Sequence, residues 1–213
     1  MRWILDNLAL IRQRTFQHMV LALPPILLSF VISLPLGWIA ARFRWTRGVL
    51  LSVLGLLYAV PSLPLFIALP AVIGTGLRNP LNVVIALSLY GIALMVRACA
   101  DAIGSVDPDV IQAGTAMGFC TWSRFWRIEL PLAGPVLLAG IRVVAVSTVS
   151  LTTVGAVLGI KSLGLLFTDG TQRNIPEEIA VGIVLTVAIA VLVDLVLVAI
   201  GRLLMPWSQS EAT

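Results

Sequence analysis

Residues 112–131 read QAGTAMGFCTWSRFWRIELP. On both sides the chain is almost pure membrane sequence. Here it turns amphipathic, with Gly114 and Gly118, Trp122 and Trp126, Arg124 and Arg127, and a closing Leu130-Pro131. Just upstream, Asp107-Pro108-Asp109 is a helix start: Asp107 caps, Pro suits the first helical position, and acids suit the first turn. Val110, Ala113, Gly114 and Met117 follow at i, i+3, i+4 and i+7 and so share a face. Gly118 breaks the run. Thr121 caps a second short helix with Trp122, Phe125 and Trp126 on one face and Arg124 and Arg127 pointing elsewhere. The Leu130-Pro131 step ends that helix and begins the next apolar run. The pattern predicts two short helices around a Gly corner. Exposed aromatics there make a docking knob, and Gly114 and Gly118 let another backbone approach closely. The competing reading is an amphipathic loop resting on lipid headgroups.

The rest of the chain explains why such a segment is an interruption. Of 213 residues, 59% are hydrophobic and only 11% charged, with mean hydropathy +1.04. Average soluble chains carry about 25% charged residues to cover their surface, so the solvent for most of this chain is lipid. A net charge of +4 fits Lys and Arg kept in cytoplasmic loops and not nucleic-acid binding, for which no module spacing is present. Cys99, Cys120 and the single His18 lack metal-ligand spacing. Both cysteines are placed on the cytoplasmic side, where thiols stay reduced.

Spanning the hydrocarbon takes about 20 apolar residues in a helix. Residues 1–14 carry Asp6, Arg12 and Arg14 and form no signal-peptide core. They read as a surface amphipathic helix or a plain lead-in. The first span is Thr15–Ala41, followed by the basic loop of Arg42, Arg44 and Arg47, which orients the chain with that loop inside. The second span lies in Gly48–Leu77 and bends at its prolines. The third is Asn79–Val96, the fourth Pro131–Leu158, and the fifth Ile179–Met205. Gly159–Glu178 is a polar connection, and residues 206–213 are a cytoplasmic tail with a disordered end. The expected fold is an all-α, polytopic membrane protein of about five transmembrane helices, residues 15–205, with segment 107–131 in the cytoplasm. That puts the N-terminus outside and the C-terminus inside. No internal repeat is visible, which counts against a complete secondary transporter.

The spacing of the interrupting segment resembles the coupling motif of ABC-importer permeases, E-A-A-x3-G-x9-I-x-L-P. Here it reads Gln112-Ala113-Gly114, Gly118, Ile128, Leu130-Pro131, with every interval kept. Gln112 replaces the acid and Gly114 the second Ala. Beyond the motif, PLGWIAARFRWTRG, AVPSLPLF, ALSLYGIALMVR, VDPDVIQAGTAMG, ELPLAGPVLLAGIR and LGIKSLG resemble the permeases of glycine betaine, carnitine and choline importers, over about Gln17 to Asp194. The family usually has a Pro where this chain has Ala93-Leu94-Met95, and a Gly-rich run where it has Lys161-Ser162.

The resemblance implies a MetI-like permease fold in the cell inner membrane and transport of compatible solutes. It implies an ATPase-coupling set of Gln112, Ala113, Gly114, Gly118, Trp122, Ile128, Leu130 and Pro131. It also implies three partners: an ABC ATP-binding subunit that holds ATP-Mg, an extracytoplasmic solute-binding protein, and a second permease, identical or not. No cofactor is expected on this chain, and no partner beyond these except membrane lipid. An alternative is a permease of the same fold for methionine or another small polar solute. Further alternatives are a non-transporting adaptor and an intramembrane enzyme, against which stands the lack of any nucleophile–base pair, metal cluster or phosphate loop.

Pro61, Ser62 and Pro64 interrupt the second span at depth, and the carbonyls freed there are tolerated where they line a cavity. With the ring of Tyr90 they are candidates for a translocation path favouring a quaternary ammonium ion. The other reading is a kink packed against its neighbours. Arg142 and Asp194 lie at matched depth inside the fourth and fifth spans. An intramembrane charge is costly unless paired, so they are expected to form a structural ion pair.

Overall fold

The computed structural model describes residues 2–209. The disorder expected at the end of the tail falls on residues 210–213, outside the described residues. The chain is helical, with no strand among the described residues. A short helix α1, Arg2–Asp6, precedes α2, Leu8–Arg42. The helix that carries the first span therefore begins at Leu8, ahead of Thr15, and takes in most of the 1–14 lead-in. Arg12, Gln13 and Arg14 are good helix formers, and polar residues end hydrocarbon contact without ending a helix. At 1.5 Å per residue the 35-residue helix is about 52 Å long, well beyond the hydrocarbon core.

The second span is two helices, α3 (Arg44–Ala59) and α4 (Ser62–Ile73), bent by 103° at Val60-Pro61. Pro61 cannot donate a backbone N–H and Pro64 lies in the first turn of α4, so the helix restarts there in a new direction. α5, Pro80–Gly104, is the most buried span. Asn79 caps it, accepting from the Leu81 N–H at 3.0 Å, and Pro80 takes the first position. α5 lies against α2 through small residues. A Cβ on Gly37 would collide with Cys99, and one on Gly91 with Ser29. In lipid no hydrophobic gradient drives helices together, so close contact through Gly, Ser and Cys supplies the packing.

Next come α6 (Pro108–Ala116), α7 (Thr121–Arg124), a π turn (Phe125–Glu129), α8 (Leu130–Thr152) and a 3-10 turn (Thr153–Leu158). α8 begins at Leu130, as the Leu130-Pro131 step promised, but no break precedes it: the π turn joins it to α7 and the helical path runs from Thr121 to Leu158. The connection expected over Gly159–Glu178 contains a further helix, α9 (Gly164–Arg173). It begins where Ser162 Oγ accepts from the Gly164 N–H and stops at Asn174, which is left-handed at φ 54°. Its polar composition hid it, but Leu166 and Gly170 are buried on one side, the former in the main core. α10, Pro176–Leu204, closes the bundle on its outside.

Among the described residues four helices are long and apolar enough to cross a membrane, and the bent α3–α4 pair makes a fifth crossing when taken as one span. The side surface is apolar: Leu27, Val31, Val184 and Leu203 are all exposed. That surface suits acyl chains or another apolar helix face and not water.

Candidate coupling segment, broken span and membrane ion pair

The segment from Asp107 to Pro131 is built locally. Asp107 accepts from the Asp109 N–H at 2.8 Å and Pro108 opens α6. α6 ends in a paired closure. The Gly118 N–H donates to Thr115 O and the Phe119 N–H to Gly114 O, with Gly118 left-handed at φ 86°. This is a Schellman stop. Cys120, and not Thr121, stands ahead of α7, with no side-chain capping bond.

The two arms are then locked together. A Cβ on Gly114 would lie 2.7 Å from Ile128 Cδ1. Gly114 is thus small for the sake of Ile128 within the segment, and not for an approaching partner backbone. Arg124, expected only to point away from the aromatic face, is turned in and buried. Its Nε donates to Glu129 Oε1 at 2.8 Å and its Nη1 to Thr115 Oγ1 at 2.7 Å. A single guanidinium therefore ties α6, α7 and the π turn. Sequence reading missed this pair because residues five apart do not face each other on an α-helix. The π turn, where the Leu130 N–H reaches back five residues to Phe125 O, brings them to one side. The same turn lies just ahead of Pro131, whose missing N–H would otherwise leave a gap in the ladder.

What remains outside is an apolar tip. Met117 is 69% exposed, Trp122 64% and Trp126 48%, beside exposed Gln112 and Ala113. Phe125 stays with Trp122 and Trp126, its ring centroid 6.2 and 5.2 Å from theirs, but on the inner side of the cluster. It is buried, with its ring edge-on to Trp38 at 6.0 Å. Ile128, Leu130 and Pro131 are half-buried at the root of α8.

In the broken span the Tyr90 hydroxyl donates to Val60 O at 2.5 Å, satisfying a carbonyl that the break frees. Tyr90 is buried and meets Tyr58 edge-on at 5.8 Å. Its ring face is not open to a passing cation, so the cation–π expectation for Tyr90 is corrected. Tyr58, 44% exposed, carries the accessible aromatic surface beside the break. Pro61 and Pro64 are exposed and Ser62 is half-buried.

Arg142 on α8 and Asp194 on α10 form a bidentate pair. Nε donates to Oδ1 at 2.6 Å and Nη2 to Oδ2 at 2.8 Å. Two buried polar groups had no counterpart in the sequence reading. His18 Nε2 lies 3.1 Å from Val149 O, the geometry of an N–H donor, and joins α2 to α8. Glu178 accepts from Arg173 Nη2 at 2.9 Å across the α9–α10 corner. Among the described residues no group of His, Cys, Asp and Glu side chains is arranged to hold a metal ion.

Comparison with known proteins agrees with this architecture. The chain is 31% identical to the osmoprotectant import permease protein OsmW of Salmonella typhimurium, over 96% of each chain. It is 28% identical to the glycine betaine/carnitine/choline transport system permease protein OpuCD of Bacillus subtilis, over 97% of this chain and 89% of that one. Inward-facing structures of the MetNI methionine ABC transporter superpose with a TM-score of 0.81 at 18% identity, covering 93% of this chain and 98% of that one. An amino acid ABC transporter structure gives a TM-score of 0.64 at 14% identity. Those two likenesses are of fold. Residues 33–209 match the binding-protein-dependent transport system inner membrane component, and the chain belongs to that family of multi-pass inner-membrane proteins.

Proposed function

We propose that this chain is the membrane half of an ATP-driven importer for compatible solutes of the glycine betaine, carnitine and choline class. As a member of its family it is an ABC permease subunit and not itself an enzyme. The observation that carries the coupling reading is the joined segment: of the exposed apolar tip of Met117, Trp122 and Trp126, the two tryptophans sit at the start of the continuous, membrane-crossing rod Thr121–Leu158. A partner that pushes the tip moves α8 with it, because Arg124, Glu129 and Thr115 bind the two arms into one body.

In this proposal a separate ATP-binding subunit takes the tip in a groove, a solute-binding protein delivers solute at the opposite face, and a second permease completes the pathway. The N-terminus is then extracytoplasmic and the C-terminus cytoplasmic. The broken α3–α4 span, with Pro61, Ser62 and Pro64 beside Tyr58, borders the path, and Tyr90 holds the break in place.

The test is uptake of labelled glycine betaine, at low and high osmolarity, in a strain without other betaine importers, before and after deletion of this gene. Choline, carnitine, proline and methionine serve as unlabelled competitors. Loss of uptake, restored by the gene and blocked by quaternary amines, supports the solute class. Unchanged uptake rejects betaine as the solute. Block by methionine alone would point to an amino-acid permease of the same fold.

A further inference from the structure

The two ends of α2 lead to two different cavities. One, near Trp38 and Arg42, lies beside the coupling segment. The other lies roughly 33 Å away along the helix, about one hydrocarbon thickness. It is a cavity of about 490 Å³ lined by Phe16, Val20, Leu21 and Ile160, with Arg78 and Lys161 as its charged members. Phe16 and Val20 lie on an exposed apolar side of α2, at 69% and 52% exposed. The cavity thus has an exposed apolar wall of the kind an acyl chain fits.

Its charge is of one sign. Neither Arg78 nor Lys161 pairs with a carboxylate among the described residues. Gly159, left-handed at φ 75°, brings the backbone under the Arg78 guanidinium; a Cβ there would lie 3.5 Å from Arg78 Nε. Pro80 also lines the cavity, which therefore lies near the positive end of the 25-residue α5. Two cations and a helix start above apolar walls match a molecule with an anionic head and an apolar body. We propose that this cavity binds one anionic phospholipid from the leaflet opposite the coupling segment. Its phosphate would sit between Arg78 and Lys161, and an acyl chain would lie along Phe16 and Val20. The proposal rests on the membrane fold alone and not on which solute is carried.

The test uses the full-length permease purified in mild detergent and titrated with phosphatidylglycerol, phosphatidylcholine or inorganic phosphate. Binding is read by native mass spectrometry and helicity by circular dichroism. Phosphatidylglycerol should bind well before phosphatidylcholine. The Arg78→Gln/Lys161→Gln double variant should weaken it roughly 25-fold, from the attraction each cation near an anionic headgroup supplies. Val20→Trp, which fills the cavity and keeps both cations, should weaken it too. Arg97→Gln, a cation elsewhere on α5, should leave it unchanged. Equal binding of the two lipids, or a folded double variant that binds as the parent does, overturns the proposal. Inorganic phosphate that displaces the lipid and still binds Val20→Trp would assign the cations to a free anion instead. Should the double variant lose helicity, the two single variants and Val20→Trp decide the matter by the same readings.

Discussion

Gly118 occupies a backbone conformation, φ 86°, that an L-residue enters at a cost of about 1–2 kcal/mol. Space is no obstacle there, since no atom lies within 4 Å of a Cβ. Gly118→Ala should therefore reduce stability modestly and leave ATPase association measurable by co-purification. Gly118→Arg adds a long charged chain to the apolar tip and should detach the ATPase while the permease stays in the membrane. An ATPase that co-purifies unchanged with Gly118→Arg would sink the docking reading. The adjacent Gly114 obeys the opposite logic, with an ordinary helical backbone and no room beside Ile128. Gly114→Val should destabilise the segment by about 1–3 kcal/mol through overpacking, and trimming Ile128 to Ala in the same chain should recover part of it. Limited proteolysis of the segment in detergent reads both.

At the scale of elements, the decisive joints are polar groups in places where a lone one is expensive. The Arg124–Glu129 pair is almost fully buried. Glu129→Ala strands a buried guanidinium, and losing one partner of such a pair costs about 3–5 kcal/mol. Arg124→Met with Glu129→Met should cost much less in stability, yet release α6 from α7. The expected signature is a permease of near-parental thermal stability whose partner ATPase hydrolyses ATP without driving uptake. Coupled uptake in that double variant would show that the ion pair is not what transmits motion. Between α8 and α10 the Arg142–Asp194 pair follows the same reasoning inside the membrane. Asp194→Asn should lower the yield of folded permease, and Arg142→Leu with Asp194→Leu should restore it above the single variant. Yield is read as the monodisperse fraction after detergent extraction.

For the whole molecule, two cysteines report on the arrangement. Cys120 is exposed at the tip and Cys99 is buried between α2 and α5. A membrane-impermeant maleimide should label Cys120 in inside-out vesicles and not in intact cells. Addition of the ATPase should protect it, while Cys99 stays unlabelled until the protein unfolds. Labelling from outside the cell would reverse the proposed orientation. The near-absence of burial along α10, against the deep burial of α5, describes a bundle wrapped around its third crossing. That leaves α10 at the periphery, where a second permease or lipid must cover it.

Much of this was readable beforehand because the bilayer restricts the choices. Backbone groups in lipid must bond within their own helix, so apolar runs of sufficient length are helices, and prolines at 61 and 64 mark the break. The turn at Gly118 was legible because helix stops are local chemistry. Composition alone excluded a soluble enzyme. The tertiary structure decided the rest. Whether Gly114 serves a partner or Ile128, whether Arg124 faces out or in, and whether Tyr90 offers its ring or its hydroxyl all depend on which neighbour occupies the adjacent volume. The π turn changed the side on which residues five apart meet, and no α-helical period anticipates it. α9 looked like a loop because its polar residues outnumber its apolar ones, and only its contact with α10 and the turn after α8 gave its few apolar residues a core to enter. Sequence determines where the chain must be helical in lipid. Which side chains are left to act is settled by packing, since burial is a property of the neighbours and not of the residue.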